Sequence, residues 1–466
     1  MKNSFKDVNR VTDQPQFAIK FANVVFLLAV FCFILIAILA VYKTYKSYYI
    51  YDYSIFILFS VISATLLGLG LRLSNDLKIN LSLLMFSVAI TVYAFETYLE
   101  LVTVTEKTQS IEIEAKKLGV PFDSRTATEV FNDLNETGNK GYPNISPQLF
   151  IKSNGLGTNN GRIYPLGGIP NITTVYCNES GYWSIYEADE HGFNNPKGLY
   201  QRNKIEILLT GDSMTEGACV NPDESITAVI RKLGFNAINI GKGGNGPLIE
   251  FAALKEYAEP LKPKIVLWMY YINDLSELVN ETKSLILRKY LNEDDYSQNL
   301  IARQDEIERL LKNNFIEVLE PKYNREIPSE KMMSNKLINI MKLFNLRSRI
   351  NLIARPNPAV FKNILVNAKK LVSGWGGSLY FVYIPSISGI NNKYHPFRKV
   401  LLSTVTELDI PIIDIQREVL DLHPDPLSLF PFRNSGHYNA EGYQFIAEVI
   451  EDRLKKDGIN PLNSKN

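Results

Sequence analysis

Four short runs in the C-terminal two thirds of the chain carry residues that could together perform acyl transfer. The first is Gly211-Asp212-Ser213-Met214-Thr215-Glu216-Gly217. Its serine directly follows an apolar run and precedes an expected helix, so a hydroxyl and a free backbone N–H would both face a crevice, as a nucleophile requires. The surroundings are neither the G-x-S-x-G elbow nor a phosphate loop with Lys-Ser/Thr. Two further runs, Asn239-Ile240-Gly241-Lys242-Gly243-Gly244-Asn245-Gly246 and Tyr271-Ile272-Asn273-Asp274, offer a glycine-loop N–H and a side-chain amide. Both kinds of donor stabilise an anionic oxygen. The fourth run, Ser435-Gly436-His437-Tyr438-Asn439, brings a histidine, which can accept a serine proton near neutral pH.

These runs need elements to hold them. Ile205–Thr210, Asn236–Ile240, Ile265–Tyr270, Leu379–Ile384 and Pro411–Ile415 are short and apolar on both faces, which suits parallel strands covered by helices. Helical stretches at Asp223–Leu233, Pro247–Tyr257, Ala359–Val372 and Ala440–Lys455 alternate with them. The pattern predicts an α/β fold, a three-layer doubly wound parallel sheet, with ligands at the carboxyl ends of its strands, where the first three runs fall. An insert of about a hundred residues, roughly 276–376, separates the third and fourth strands. Its stretches Tyr296–Leu319 and Met332–Leu346 read as amphipathic helices, expected as decoration rather than as a substrate-facing lid.

The four runs, in this order on these elements, resemble the SGNH (GDSL-like) hydrolase superfamily over about residues 200–457. The run Glu187–Pro196 is similar to the segment preceding the domain in membrane-anchored bacterial members, which often modify surface polysaccharides. The resemblance implies Ser213 as nucleophile and His437 as base, with an oxyanion hole from the Ser213 N–H, the Gly244 N–H and the Asn273 amide. The choice of Gly244 rather than Gly241 or Gly243 as the oxyanion glycine rests on alignment with the family. The family places an aspartate three residues before its histidine, where this chain has Asn434, and opens its third run with glycine, where this chain has Tyr271. Asn434 could orient the imidazole through its carbonyl oxygen but lends it no full charge, so the site would work as a Ser–His dyad or recruit Asp425 or another carboxylate.

The other histidines, His191, His395 and His423, are scattered and read as structural, with His191 the nearest candidate for the rim of the site. No cofactor or metal is expected, since no Cys or His set has ligand spacing. Cys177 and Cys219 are a candidate disulfide, with two buried thiols as the alternative, and Cys32 reads as a small apolar residue of the first span.

Residues 1–104 hold 8 Lys/Arg and 6 Asp/Glu, against 42 and 43 in residues 105–466, so the near-zero mean hydropathy averages an apolar head with a neutral body. A neutral body gives no electrostatic reason to bind nucleic acid. Three membrane helices are predicted at about 21–42, 53–71 and 79–95, the third being the least apolar at its ends. The first is too long for a signal peptide and lacks a cleavage motif. Tyrosines from Tyr42 to Tyr53 crowd one interface. Lys2, Lys6, Arg10 and Lys20 precede the first span, which places the body outside the cytoplasm by the positive-inside rule.

The expected organisation is an anchor (1–104), a stalk and accessory segment (105–200) and a hydrolase-like domain (201–460). The expected function is a serine esterase of a bacterial inner membrane that deacylates an extracytoplasmic glycan or lipid through an acyl-serine. The alternatives are an O-acyltransferase served by an acyl-supplying membrane partner, and a non-catalytic envelope module.

Overall fold

A computed structural model of the chain describes residues 16–46, 53–138, 141–201, 204–316, 336–349, 358–391, 396–434 and 436–461. The chain divides into two compact units, one of residues 1–107 with 327–355, the other of residues 108–326 with 356–466.

In the first unit, helices α1 (Gln16–Lys46), α2 (Ser54–Gly70) and the part of α3 (Asn75–Leu118) up to residue 107 are apolar over long stretches. α1 packs on both others: Phe33 meets Phe59 edge-on at 6.0 Å and Phe21 meets Phe86 at 5.7 Å. Two helical stretches, Gln16–Tyr45 and Asn75–Leu101, are long and apolar enough to cross a membrane. The middle helix, not the third, is the short one: its 17 residues rise about 26 Å, below the ~30 Å of a hydrocarbon core. The expected third span and the first residues of the expected stalk segment form one continuous helix, α3, because no proline or glycine interrupts residues 75–118.

The expected helix Met332–Leu346 falls partly outside the described residues. Its described part breaks into 336–341 and Phe344–Arg349 at Leu343, whose φ is +49°. Glu96 Oε1 and Oε2 accept the N–H groups of Asn345 and Leu346, both at 2.8 Å, satisfying amides that open the second helix. The insert is therefore not simply decoration of the sheet or a lid, because this part of it belongs with the N-terminal helices.

The second unit begins with Ala127–Glu136, a helix closed by a capping box in which Thr126 and Glu129 exchange hydrogen bonds. Next come the short strands β1 (Gly141–Pro143), β2 (Leu156–Thr158), β3 (Gly161–Ile163), β4 (Thr173–Val175) and β5 (Ile185–Glu187). β1, β4 and β5 form one small sheet, and β2–β3 a hairpin.

The main sheet holds β6 (Ile207–Gly211), β7 (Ala237–Asn239), β8 (Ile265–Tyr271), β9 (Ser378–Ile384) and β10 (Ile412–Asp414), ordered β10-β9-β8-β6-β7 and parallel throughout. The five sequence-predicted strands match within about two residues at either end. Side chains alternate between two cores: Leu208, Val266, Trp268 and Phe381 enter one, and Ile207, Leu209, Leu267 and Val382 the other. The first core is closed by helices Pro247–Ala253 and Pro358–Gly374, the second by Ile226–Lys232 and Ala440–Lys456. The chain leaves β6 for β7 on one side and then crosses to β8 on the other, so the β6/β8 boundary is the switch point where such sheets open a crevice.

Candidate active site

β6 ends at Gly211, and Asp212 caps the one-turn helix Ser213–Glu216 by accepting the Met214 N–H at 3.0 Å. The turn is tight. A side chain at Gly211 would strike Thr215 Oγ1 at 2.1 Å, and Gly217 closes the helix with φ +83°. Ser213 is thereby left partly exposed at the carboxyl end of the sheet.

His437 reaches this turn from the loop before the last helix. Its Nε2 lies 2.8 Å from Ser213 Oγ. The carboxylate at its other nitrogen belongs to Glu179: Nδ1 is 3.1 Å from Glu179 Oε2, and the same oxygen accepts the His437 backbone N–H at 2.7 Å. The sequence reading left that place to Asn434, to Asp425 or to another carboxylate; it is another carboxylate, Glu179, that fills it. Asp425 is instead engaged by Arg433, whose Nη2 lies 2.7 Å from its Oδ1. Residue 434 precedes the reversal at Gly436 (φ +143°), where a side chain would collide with Glu179 Oε2 at 2.2 Å, and it is Glu179 that stands against the ring.

Burial alone would push the His437 pKa down; the hydrogen bond and charge of Glu179, with Asp212 and Glu216 behind, outweigh it and hold the imidazolium above its ordinary value. Burial likewise opposes the ionisation of Glu179, yet its bonds to His437 bring its pKa below the usual glutamate value. Both side chains keep 23% exposure, so the pair reaches solvent.

Glu179 lies two residues beyond Cys177, which forms a disulfide with Cys219 across a Cα–Cα distance of 5.1 Å. Cys219 sits six residues after Ser213, with its Sγ 3.8 Å from His437 Nδ1. The bridge thus ties the Glu179 loop to the segment after the nucleophile. Ser180 Oγ and Ser184 Oγ, donating to Cys219 O at 3.0 Å and Val220 O at 2.6 Å, brace the same junction. Glu179, Cys219 and His437 present ligand atoms within 4.8 Å of one another, a spacing a metal could use. The donor set does not fit one, since the sulfur is bonded in the disulfide and His437 Nδ1 is engaged by Glu179.

The glycine loop after β7 is fixed amide by amide. Gly241 N–H donates to Asn239 Oδ1 at 2.7 Å, Lys242 to Gly211 O at 3.3 Å, Gly243 to Glu216 Oε2 at 2.6 Å, Asn245 to Lys242 O at 3.0 Å, and Gly246 to Glu281 Oε1 at 2.6 Å. Among the described residues, the Gly244 N–H is the one in this run with no protein acceptor. Gly244 has φ +78°, and a Cβ there would lie 3.3 Å from both Gln148 and Ser146.

Asn273 follows β8 and is partly buried; burial pushes the Asp212 pKa up, and the Asn273 amide is among the groups that oppose it. Tyr271, standing where the family has glycine, is a partly exposed ring at the strand end; burial, then the charge of Asp212, pushes its hydroxyl pKa up.

Behind the loop, the fully buried Lys242 ammonium contacts the equally buried Glu216 carboxylate. Tyr186 OH donates to Glu216 Oε1 at 2.7 Å and accepts from Lys242 Nζ at 3.0 Å, while Asn144 Nδ2 donates to Glu216 Oε2 at 3.1 Å. One carboxylate thereby links the nucleophile turn, the glycine loop and the small sheet. The run Glu187–Pro196 contributes too: Asn194 Nδ2 donates to Glu216 O at 2.8 Å, and Asn195 exchanges hydrogen bonds with the Asn239 backbone at 2.7 and 2.9 Å.

His191 is not at the rim of the site. It packs edge-on to Tyr200 at 4.3 Å, and burial lowers its pKa despite the bond to Gln304. His423 Nδ1 accepts the Asp425 N–H at 3.1 Å, and His395 lies outside the described residues.

No family model matches the chain, and no curated protein sequence matches it. Among solved structures it is similar to a lipase/acylhydrolase from Enterococcus faecalis, with 15% identity, TM-score 0.31, and coverage of 56% of this chain and 99% of that one. It is also similar to an acetyl xylan esterase, with 10% identity, TM-score 0.31, and coverage of 54% and 100%. A third is a two-domain esterase active on acetylated mannans, with 12% identity, TM-score 0.30, and coverage of 57% and 53%.

Proposed function

We propose that the chain is a membrane-anchored serine esterase that removes ester-linked acyl groups from an extracytoplasmic glycan or lipid. The observation that carries the reading is the continuous relay Ser213 Oγ–His437 Nε2, 2.8 Å, and His437 Nδ1–Glu179 Oε2, 3.1 Å, at the switch point of a parallel sheet.

Neutral His437 takes the Ser213 proton at Nε2 as Oγ attacks the ester carbonyl, and the ionised Glu179 stabilises the imidazolium that results. The oxyanion is received by the Ser213 N–H, the unspent Gly244 N–H and the Asn273 side-chain amide. Collapse breaks the acyl–oxygen bond, and His437 returns the proton to the leaving alcohol. Water, deprotonated by the same nitrogen, then cleaves the acyl-serine to release the acid.

Membrane anchoring is supported by the apolar, outward-facing side chains of α1–α3, such as Phe31, Leu58 and Leu84 at 62%, 63% and 60% exposure. The short α2 would be met by local thinning of the bilayer. The Cys177–Cys219 bridge suits an oxidising compartment, which agrees with the basic residues that precede α1 and keep the N-terminus in the cytoplasm.

The test is hydrolysis of p-nitrophenyl acetate by the full chain in detergent, compared with Ser213→Ala. Loss of turnover in the variant supports the reading. Equal turnover removes it and leaves a non-catalytic envelope module. Transfer of acetyl to an added glycan in preference to water would identify an O-acyltransferase, which uses the same acyl-serine.

A further inference from the structure

Residues 336–349 hold Lys336, Lys342, Arg347 and Arg349 and no acidic residue. They interrupt the hydrolase-like domain but belong to the same compact unit as the N-terminal helices. Their attachment point is specific. Asn345 Nδ2 donates to Glu100 Oε2 at 2.6 Å and to Glu96 Oε1 at 3.1 Å, and Asn339 Nδ2 to Glu100 Oε1 at 3.2 Å. Glu96 and Glu100 are almost fully buried, at 0% and 5% exposure.

Those two glutamates lie at the end of the apolar stretch of α3, which closes at Leu101. Tyr42 and Tyr45, at the end of α1, are 53% and 88% exposed. Aromatic rings of this kind mark the level of the headgroups. The tether therefore fixes residues 336–349 at the depth where hydrocarbon gives way to polar headgroups.

Away from the tether the segment is apolar and uncovered: Leu337, Ile338, Met341 and Phe344 are 56%, 42%, 73% and 48% exposed. Leu337, Ile338 and Met341 lie at spacings of three and four on the short helix 336–341, and Phe344 opens the helix that follows the break at Leu343. A basic, acid-free pair of short helices with uncovered apolar side chains suits an anionic lipid surface, its apolar side about 5–10 Å into the headgroup and acyl boundary.

Resting on the anchoring proposed above, we infer that residues 336–349 form an interfacial membrane contact. Leu337, Ile338, Met341 and Phe344 enter the lipid, and Lys336, Lys342 and Arg347 pair with anionic phospholipid headgroups. Each basic side chain near such a surface favours the contact by about fivefold.

The test uses the full chain carrying Cys32→Ser and a fluorophore on Met341→Cys, in vesicles of phosphatidylcholine and phosphatidylglycerol with nitroxide lipids labelled near the headgroup or deep in the chain. A second preparation carries the fluorophore on Phe31→Cys, within α1. We expect the Met341 probe to be quenched about twofold or more by the shallow nitroxide relative to the deep one. The Phe31 probe should favour the deep nitroxide. Adding Lys336→Glu, Lys342→Glu and Arg347→Glu should reduce the shallow quenching.

A Met341 probe open to aqueous iodide, with Phe31 still quenched from the deep position, overturns the inference and leaves the anchor standing. A Met341 probe shielded from both iodide and lipid nitroxides also overturns it, since protein then covers the face. Failure of lipid quenching at both positions overturns the inference together with the anchoring.

Discussion

One oxygen of Glu179 accepts two hydrogen bonds from His437, at 3.1 Å from the ring Nδ1 and 2.7 Å from the backbone nitrogen. A single carboxylate thus holds both the imidazole and the loop that carries it.

Replacing Glu179 by Gln should therefore lower kcat/KM by roughly 10²-fold or more. The sign of its pH effect is fixed. The base acts when neutral, so activity rises as pH climbs through the His437 pKa, which Glu179 holds above 6.5. Without that charge, burial dominates and the acid limb of the pH profile should move to lower pH. Asn434→Asp should give no comparable change. A Glu179→Gln profile unmoved on its acid side would contradict this role.

The bridge that carries the Glu179 loop has a similar consequence. Cys177→Ser with Cys219→Ser frees a loop spanning 42 residues, which by loop entropy costs about 4 kcal/mol of stability. In the folded population we expect kcat to fall and KM to change little, because the bridge stands at the imidazole. Denaturant unfolding and steady-state kinetics report the two effects separately.

Gly244→Ala should reduce kcat by roughly 10²–10³-fold, the usual cost of one oxyanion donor. Its φ of +78° is costly for alanine, and the new methyl would press on Gln148 and Ser146 at 3.3 Å, so the free N–H would turn away. Asn273→Ala should cost about as much by the same criterion.

Lys242→Ala should destabilise the domain by about 3–5 kcal/mol in chemical denaturation, because it leaves the buried Glu216 carboxylate without its cation. A change below about 1 kcal/mol would show that Tyr186, Asn144 and the Gly243 N–H suffice to hold that charge.

Much of the architecture was legible because the relevant signals are local. Runs such as Ile265–Tyr271 are apolar on both faces, and each of Ser213, Gly244 and Asn273 follows a strand of the same parallel sheet. Glu179 was not legible: it lies in a loop without periodicity, 258 residues from its histidine. The available signal was Cys177, two residues away, since pairing it with Cys219 would have drawn Glu179 towards Ser213. The insert was misread for a related reason. Amphipathicity at 336–349 shows an apolar face but not which surface receives it, and the bonds to Glu96 and Glu100 bridge about 250 residues.

The most direct test of the esterase reading is the acyl-serine itself. The full chain in detergent is mixed with p-nitrophenyl acetate, quenched in acid within a turnover, digested and analysed by mass spectrometry. We expect an acetyl group on the peptide bearing Ser213, and none, with no p-nitrophenol burst, in Ser213→Ala. Turnover that persists in Ser213→Ala, or acetyl carried by another residue of the wild-type chain, would contradict it.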